Sequence, residues 1–210
     1  EFIAKTGKPT FLSTGAATID EIEWAVNHFF KNNGKNLTLL QTTAKYPAPL
    51  ESLNIYSMDV LKDNFNVSVG LSDHSIDPII GPVCATALGA SVIEKHFTLN
   101  KKLPGPDHSF ALEPNELKLM IDSVRSAEKA IGTGIKEILP EELQLRRFAT
   151  RSIQAIKDIH KGEILQDGVN ISVLRPGEQS RGTEPRFLDL VNGKRASKDF
   201  KSGEGITDYA

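Results

Sequence analysis

The stretch VGLSDH (residues 69–74), followed by VIEKHF (residues 92–97), decides how this chain folds. Each piece is a short, apolar, β-branched run that breaks off into ionisable residues. That is the pattern of a strand buried on both faces whose C-terminal tip opens into a site. His74 and His96 stand 22 positions apart, room for a loop, a helix and a return strand. The interval predicts neighbouring parallel strands with one imidazole at each tip. Side by side, the two rings are placed to share a metal ion. Taken singly, each is as readily a hydrogen-bonded structural histidine.

Working outward, the same unit of strand, polar tip and amphipathic helix occurs four times. PTFLSTG (residues 9–15) precedes a helix that Thr18 and Glu21 start as a capping box, with Ile22, Ala25, Val26 and Phe29 as its inward stripe. LTLLQTTAKYP (residues 37–47) precedes a short helix within residues 52–63, and VGLSDH one over about residues 78–88, which Gly89 ends. After VIEKHF comes PGPDHSF (residues 104–110), then a helix from Pro114 that is expected to bury Leu117, Met120, Ile121, Val124 and Ile131 before Gly132. Alternating strands and helices predict a parallel α/β sheet, doubly wound or closed as a barrel, and both architectures place sites at strand C-termini. No Gly-x-Gly-x-x-Gly follows the first strand, which argues against dinucleotide binding. Four units make half of an eight-fold (β/α)8 TIM barrel.

Residues 1–137 thus form the half barrel, residues 138–150 a charged linker, and residues 151–210 a small β module. In that module KDIHKGEIL (residues 157–165) recurs 41 positions later as KDFKSGEGI (residues 198–206), which predicts a pseudo-symmetric pair of turns. The 210 residues are 39% hydrophobic and 25% charged, with a formal net charge of −2, so no basic footprint for nucleic acid is present. A lone cysteine, Cys84, rules out an internal disulfide framework and fits a reducing compartment, the cytoplasm. No apolar run is long enough to span a membrane. The opening EFIAKTG reads as the middle of a domain.

Two protein imidazoles suit a Lewis-acid site with open positions better than a closed structural one. Glu94 precedes His96 by two positions, so both side chains point to one side of the strand, within reach of a reacting centre. Ser13, Ser72, Thr42 and Thr43 bring hydroxyls to neighbouring tips and Lys45 a cation, a set able to hold a phosphate. Plainer readings suit other residues: His28 and His160 solvated, Cys84 and Trp24 packed in their helices, Asp107 capping a turn, Arg175 a surface cation.

These motifs together resemble the N-acetylneuraminate (sialic acid) synthase family, which includes spore-coat polysaccharide synthases. The matching pieces are STG (13–15), YPAP (46–49), GLSDH (70–74), EKHFTL (94–99) and LPGPDHSFALEP (103–114), with Gly132, Gly134 and Lys136 at the barrel exit. Arg151–Ser152, the DIHKGE turn and RPG (175–177) match the family's C-terminal antifreeze-like SAF module. The resemblance implies a full barrel joined to that module in a domain-swapped homodimer. It implies a condensation of phosphoenolpyruvate with an N-acetylmannosamine-type aldose, giving a nine-carbon 2-keto acid and phosphate and using Mn2+ or Mg2+. Carried over by motif, His74 and His96 are the metal ligands and Glu94 handles water. Ser13 and Ser72 bind phosphoenolpyruvate, Thr43 is a further substrate-binding residue, Tyr46 and Asp107 contact the sugar, and Arg175 reaches the N-acetyl group in the partner's barrel. Thr42-Thr43-Ala44 departs from the family pattern, since Ala44 lacks the usual polar group. The family's first four barrel units, with their phosphate-binding lysines, have no counterpart here, so this chain alone is expected to be an inactive C-terminal portion. A metal-dependent aldolase or hydrolase, or a non-catalytic carbohydrate-binding or assembly piece, are the competing expectations.

Overall fold

The computed structural model describes residues 1–210 and divides into two compact units, Glu1–Gly134 and Ile135–Ala210. In the first, β1 (Thr10–Ser13), β2 (Leu37–Thr42), β3 (Ser68–Asp73) and β4 (Ile93–Lys95) form one parallel sheet in the order β1-β2-β3-β4. A doubly wound sheet reverses its order at a switch point, and this one does not. With right-handed crossovers, an order that never reverses keeps its helices on one face. The sheet is therefore wound as a segment of a barrel.

The helices of this unit are α1 (Phe2–Lys5), α2 (Ile19–Lys31), α3 (Ser57–Phe65), α4 (Ile80–Ala87) and α5 (Pro114–Ile131). At the start of α2 the Glu21 carboxylate accepts the Thr18 N–H at 2.8 Å while the Thr18 hydroxyl accepts the Glu21 N–H, so the predicted capping box is formed. Ile22, Val26 and Phe29 then fall on one stripe and bury against Leu37, Leu39, Val69 and Leu71, with Met58, Leu61 and Ala85 contributed by α3 and α4. Alternation sends the intervening strand residues to the opposite face, among them Leu40, Thr42, Gly70 and Ser72. Gly70 is required there by close approach: a Cβ would lie 2.4 Å from the Val92 carbonyl and 2.7 Å from Leu40 Cδ2.

Two packing expectations need correction. Of the five apolar residues expected to be buried on α5, only Met120 is; Leu117 and Val124 are half-buried, and Ile121 and Ile131 are 46% and 49% exposed. The helix packs beside α4 and the sheet ends at β4, so its stripe has no neighbour on the far side. Cys84 is exposed because α4 turns Gly81, Pro82, Ala85 and Thr86 inward instead. Trp24 is also exposed and stacks on His28, one helical turn away, with ring centroids 5.1 Å apart.

In the second unit, part of the segment read as a linker is helical: a 3-10 turn at Pro140–Glu142 leads into α6 (Leu143–Ala149). Glu142 accepts the Leu139 N–H at 2.9 Å, and Arg146 and Arg147 occupy the last turn of α6, where cations complement the helix dipole. β5 (Ser152–Ala155) and β6 (Ile171–Leu174) pair antiparallel, and α7 (Leu188–Val191) follows. The sequence repeat is realised as a local two-fold. Ile159 and Phe200 exchange backbone hydrogen bonds of 2.9 Å, Asp158 accepts the Ser202 N–H at 2.9 Å, and Asp199 accepts the Lys161 N–H at 2.7 Å. Gly162 and Gly203, at φ +90° and +87°, each donate a 2.8 Å hydrogen bond, to the Ala196 and Ala155 carbonyls respectively. Each of these contacts maps onto its mate by the 41-position shift. No helix in either unit is long and apolar enough to cross a membrane.

Candidate active site

The inner face of the sheet carries the site because register and alternation agree. Thr42 pairs with Ser72, and Ser72 with Glu94, so the three side chains form one row across β2, β3 and β4. Two positions further along their strands' direction come His74 and His96, on the same side. Their ring centroids are 5.3 Å apart at an interplanar angle of 82°.

His74 is buried, and its Nδ1 lies 2.9 Å from the Thr43 carbonyl oxygen. A carbonyl can only accept, so Nδ1 carries a proton, which in the neutral ring leaves the lone pair on Nε2. This is the arrangement by which backbone orients a metal-binding imidazole. The Ser72 hydroxyl lies 3.5 Å from that nitrogen and donates its proton to Glu94 Oε1 at 2.7 Å. Ser72 thereby fixes the Glu94 carboxylate at the row just below the imidazoles. His96 Nδ1 lies 3.6 Å from Asp107 Oδ2, too far for a hydrogen bond and close enough for attraction if the ring is protonated.

Tyr46 closes one side. Its ring stacks on His74 with centroids 4.2 Å apart and meets His96 edge-on at 5.8 Å, while Phe110 lies 5.1 Å from His96. The Ala48 N–H donates to the His74 carbonyl at 2.9 Å, holding the Tyr46 loop over the site. Lys45 and Tyr46 also border a cleft walled by Pro49, Leu50 and Ile76.

Of the residues singled out in the sequence, His74, His96, Glu94, Ser72, Tyr46 and Asp107 come together. Ser13 shares their face, in register with Leu40, and is exposed. The Thr43 hydroxyl is committed to the Ser52 carbonyl at 2.6 Å, so what Thr43 gives the site is its backbone oxygen. Arg175 is exposed at the end of β6, within the second unit. Sequence reasoning passed over Phe110 and the Asp73–Lys95 ion pair on the reverse face, 2.7 Å long with both side chains buried. The signal for that pair lay in the alternation that put Glu94 beside Ser72, since it also opposes Asp73 to Lys95.

No group of three or more His, Cys, Asp or Glu side chains is placed to hold a metal ion. The donors that could hold an ion here are the two imidazoles of His74 and His96. This fits a divalent ion that keeps open positions for substrate and water.

The sequence profile of the NeuB family matches residues 1–136 and that of the SAF domain residues 150–208. The chain belongs to the NeuB family. It is 44% identical over 208 residues to the N,N'-diacetyllegionaminic acid synthase of Campylobacter jejuni, matching 98% of this chain and 61% of that protein. It is also 44% identical to a pseudaminic acid synthase of the same organism, over 97% of this chain and 58% of the relative. The crystal structure of spore coat polysaccharide biosynthesis protein SpsE from Bacillus subtilis superposes with a TM-score of 0.58 at 38% identity, covering 98% of this chain and 61% of that one. This NeuB-family chain thus spans about 60% of the length of the relatives it matches, and its second unit is a SAF domain. Relatives that share both parts are named as sialic-type acid synthases and a spore-coat polysaccharide biosynthesis protein.

Proposed function

We propose that this chain carries the metal-binding half of a nonulosonic acid synthase, which condenses phosphoenolpyruvate with an N-acetylmannosamine-type aldose. The observation that carries the reading is the row of Ser72 and Glu94 beneath His74 and His96 on one inner sheet face. In the reaction, C3 of phosphoenolpyruvate forms a bond to the aldehyde carbon of the acceptor, water adds to C2, and C–O cleavage releases phosphate. A divalent ion, Mn2+ or Mg2+, held by His74 and His96 would supply Lewis-acid polarisation of the acceptor carbonyl.

Glu94, kept in place by the Ser72 hydroxyl, takes the proton of the water that adds to C2. Ser13 presents its hydroxyl to the phosphate-bearing substrate, and Ser72, whose proton goes to Glu94, acts there through that carboxylate. The Tyr46 ring forms the wall against which the sugar lies, with Asp107 accepting from its hydroxyls. Arg175 acts on the acetamido group from the SAF domain of a partner subunit in a domain-swapped homodimer. The chain spans about 60% of the length of its relatives, and this reading expects turnover from a complete barrel.

The test is phosphate release from phosphoenolpyruvate and N-acetylmannosamine with Mn2+. It compares this chain, a version extended by a relative's preceding barrel units, and His96→Ala in the extended version. Release by the extended wild type alone is expected. If the extended protein releases no phosphate with N-acetylmannosamine, its 6-phosphate or diacetamido hexoses, with either metal, the synthase reading fails.

A further inference from the structure

The Asp73–Lys95 pair sits directly behind the site, and neither residue touches it. Asp73 immediately precedes His74 and Lys95 immediately precedes His96. The two oppose each other in the β3–β4 register, and their side chains are 0% and 2% exposed. Lys95 Nζ donates to Asp73 Oδ2 at 2.7 Å, to the Ser75 carbonyl at 2.5 Å and to the Asp77 carbonyl at 3.2 Å, with the Ser75 hydroxyl at 3.3 Å. The other Asp73 oxygen accepts the Ser75 N–H at 2.8 Å. Asp77 in turn accepts the Ile79 and Ile80 N–H groups at the start of α4, both at 2.7 Å. One ammonium group therefore ties together the tip of β3, the tip of β4 and the loop into α4.

β4 makes this hub matter. It has three residues and pairs with only β3 among the strands; Leu112 holds its tip from the other side, donating to the His96 carbonyl at 2.9 Å, so few ladder hydrogen bonds to β3 fix His96 against His74. A buried ion pair is a poor way to gain stability, because desolvation offsets most of the attraction and an apolar pair of similar volume often does as well. Its directional hydrogen bonds, by contrast, set the position of one strand tip against the next. We propose that Asp73 and Lys95 are positioning residues that set the spacing of the two imidazoles, acting from the reverse face of the sheet. The inference rests on the reading of His74 and His96 as metal ligands.

The test uses the full chain with two variants, Lys95→Met and the double variant Asp73→Leu/Lys95→Met. The first leaves a buried carboxylate without its counter-ion and serves as the control for the stability cost of an unpaired charge. The double variant removes both charges, so the fold is kept while the clamp is absent. Co2+ binding is followed by its visible absorption, with His74→Ala as the control for site occupancy. The His74 and His96 ring resonances are followed by NMR in metal-free protein. For the double variant the expected result is a melting temperature near wild type, Co2+ affinity reduced about 10–100-fold, the range seen when groups supporting a metal's ligands are removed, and altered contacts between the two rings and Tyr46. Wild-type Co2+ affinity and unchanged ring contacts in a folded double variant would overturn the proposal. If Co2+ binds wild type and His74→Ala equally, the metal reading fails, and the ring contacts in metal-free protein still decide whether the clamp positions the imidazoles.

Discussion

His74 shows how much of a site one side chain's surroundings decide. Its Nδ1 is taken by a carbonyl 31 positions earlier in the chain, and that contact leaves Nε2 as the nitrogen beside the Ser72 hydroxyl. The sequence places His74 at a strand tip and sets Glu94 beside Ser72 through the period of two. It is silent on the Thr43 carbonyl, because a backbone contact between loops leaves no mark in residue types. Crowding around Asp73 gives the first prediction. A Cβ on Gly81 would stand 2.8 Å from Asp73 Oδ2 and 3.3 Å from Leu53 Cδ1, so Gly81→Ala displaces a buried, hydrogen-bonded carboxylate. A loss of about 1–3 kcal/mol is expected, as for other overpacked sites, read as a lower urea midpoint. An unchanged midpoint would mean that the carboxylate has room to move and that the pair is loosely held.

At the scale of elements, the legible features are those written in local chemistry. Thr18 and Glu21 announce the start of α2, and Thr18→Ala is expected to cost about 1 kcal/mol, measurable as reduced hydrogen-exchange protection in the first turn of that helix. The stripe of α5 is equally plain in the sequence, yet Ile121 and Ile131 remain about half exposed, because periodicity shows which face is apolar and not whether a neighbour covers it. The turn repeat of the SAF domain makes a sharper case. Asp158 accepts hydrogen bonds from Lys201 Nζ at 2.8 Å and the Ser202 N–H at 2.9 Å, and these, the Lys201 bond foremost, hold its carboxyl below the usual aspartate range. A carboxylate with a depressed folded value stabilises the domain fully above its unfolded value, about 3.9, and that contribution disappears as pH falls through the folded value. The stability of wild type should therefore decline more steeply than that of Asp158→Asn as pH falls from about 5 to 2. Parallel urea midpoints for the two across that range would show that the exposed Asp158–Lys201 contact contributes nothing.

At the scale of the whole molecule, the two cores share no residue. One is built from α2, α3, α4 and the outer sheet face, the other from Ile153, Ile159, Leu165, Ile171, Phe200 and Ile206 with their neighbours. Separate cores predict separate unfolding, so the excised segment Ile135–Ala210 should fold alone, with the circular dichroism and urea midpoint of the corresponding transition in the full chain. The first unit should behave differently. β1 and β4 are both sheet edges, and Phe11 on β1 is 55% exposed. An open parallel edge with apolar residues beside it is a template for pairing with another chain, while the unit's 12 Lys and Arg against 15 Asp and Glu, a net charge of −3, offer little repulsion against association. Sedimentation of Glu1–Gly134 should show concentration-dependent association, and Phe11→Lys should weaken it by placing a charge at the edge. Ile135–Ala210 should sediment as a monomer under the same conditions. A first unit that remains monomeric at every concentration would mean that its edges are protected without a further strand, and turnover by this chain without a supplied half barrel would then become worth measuring.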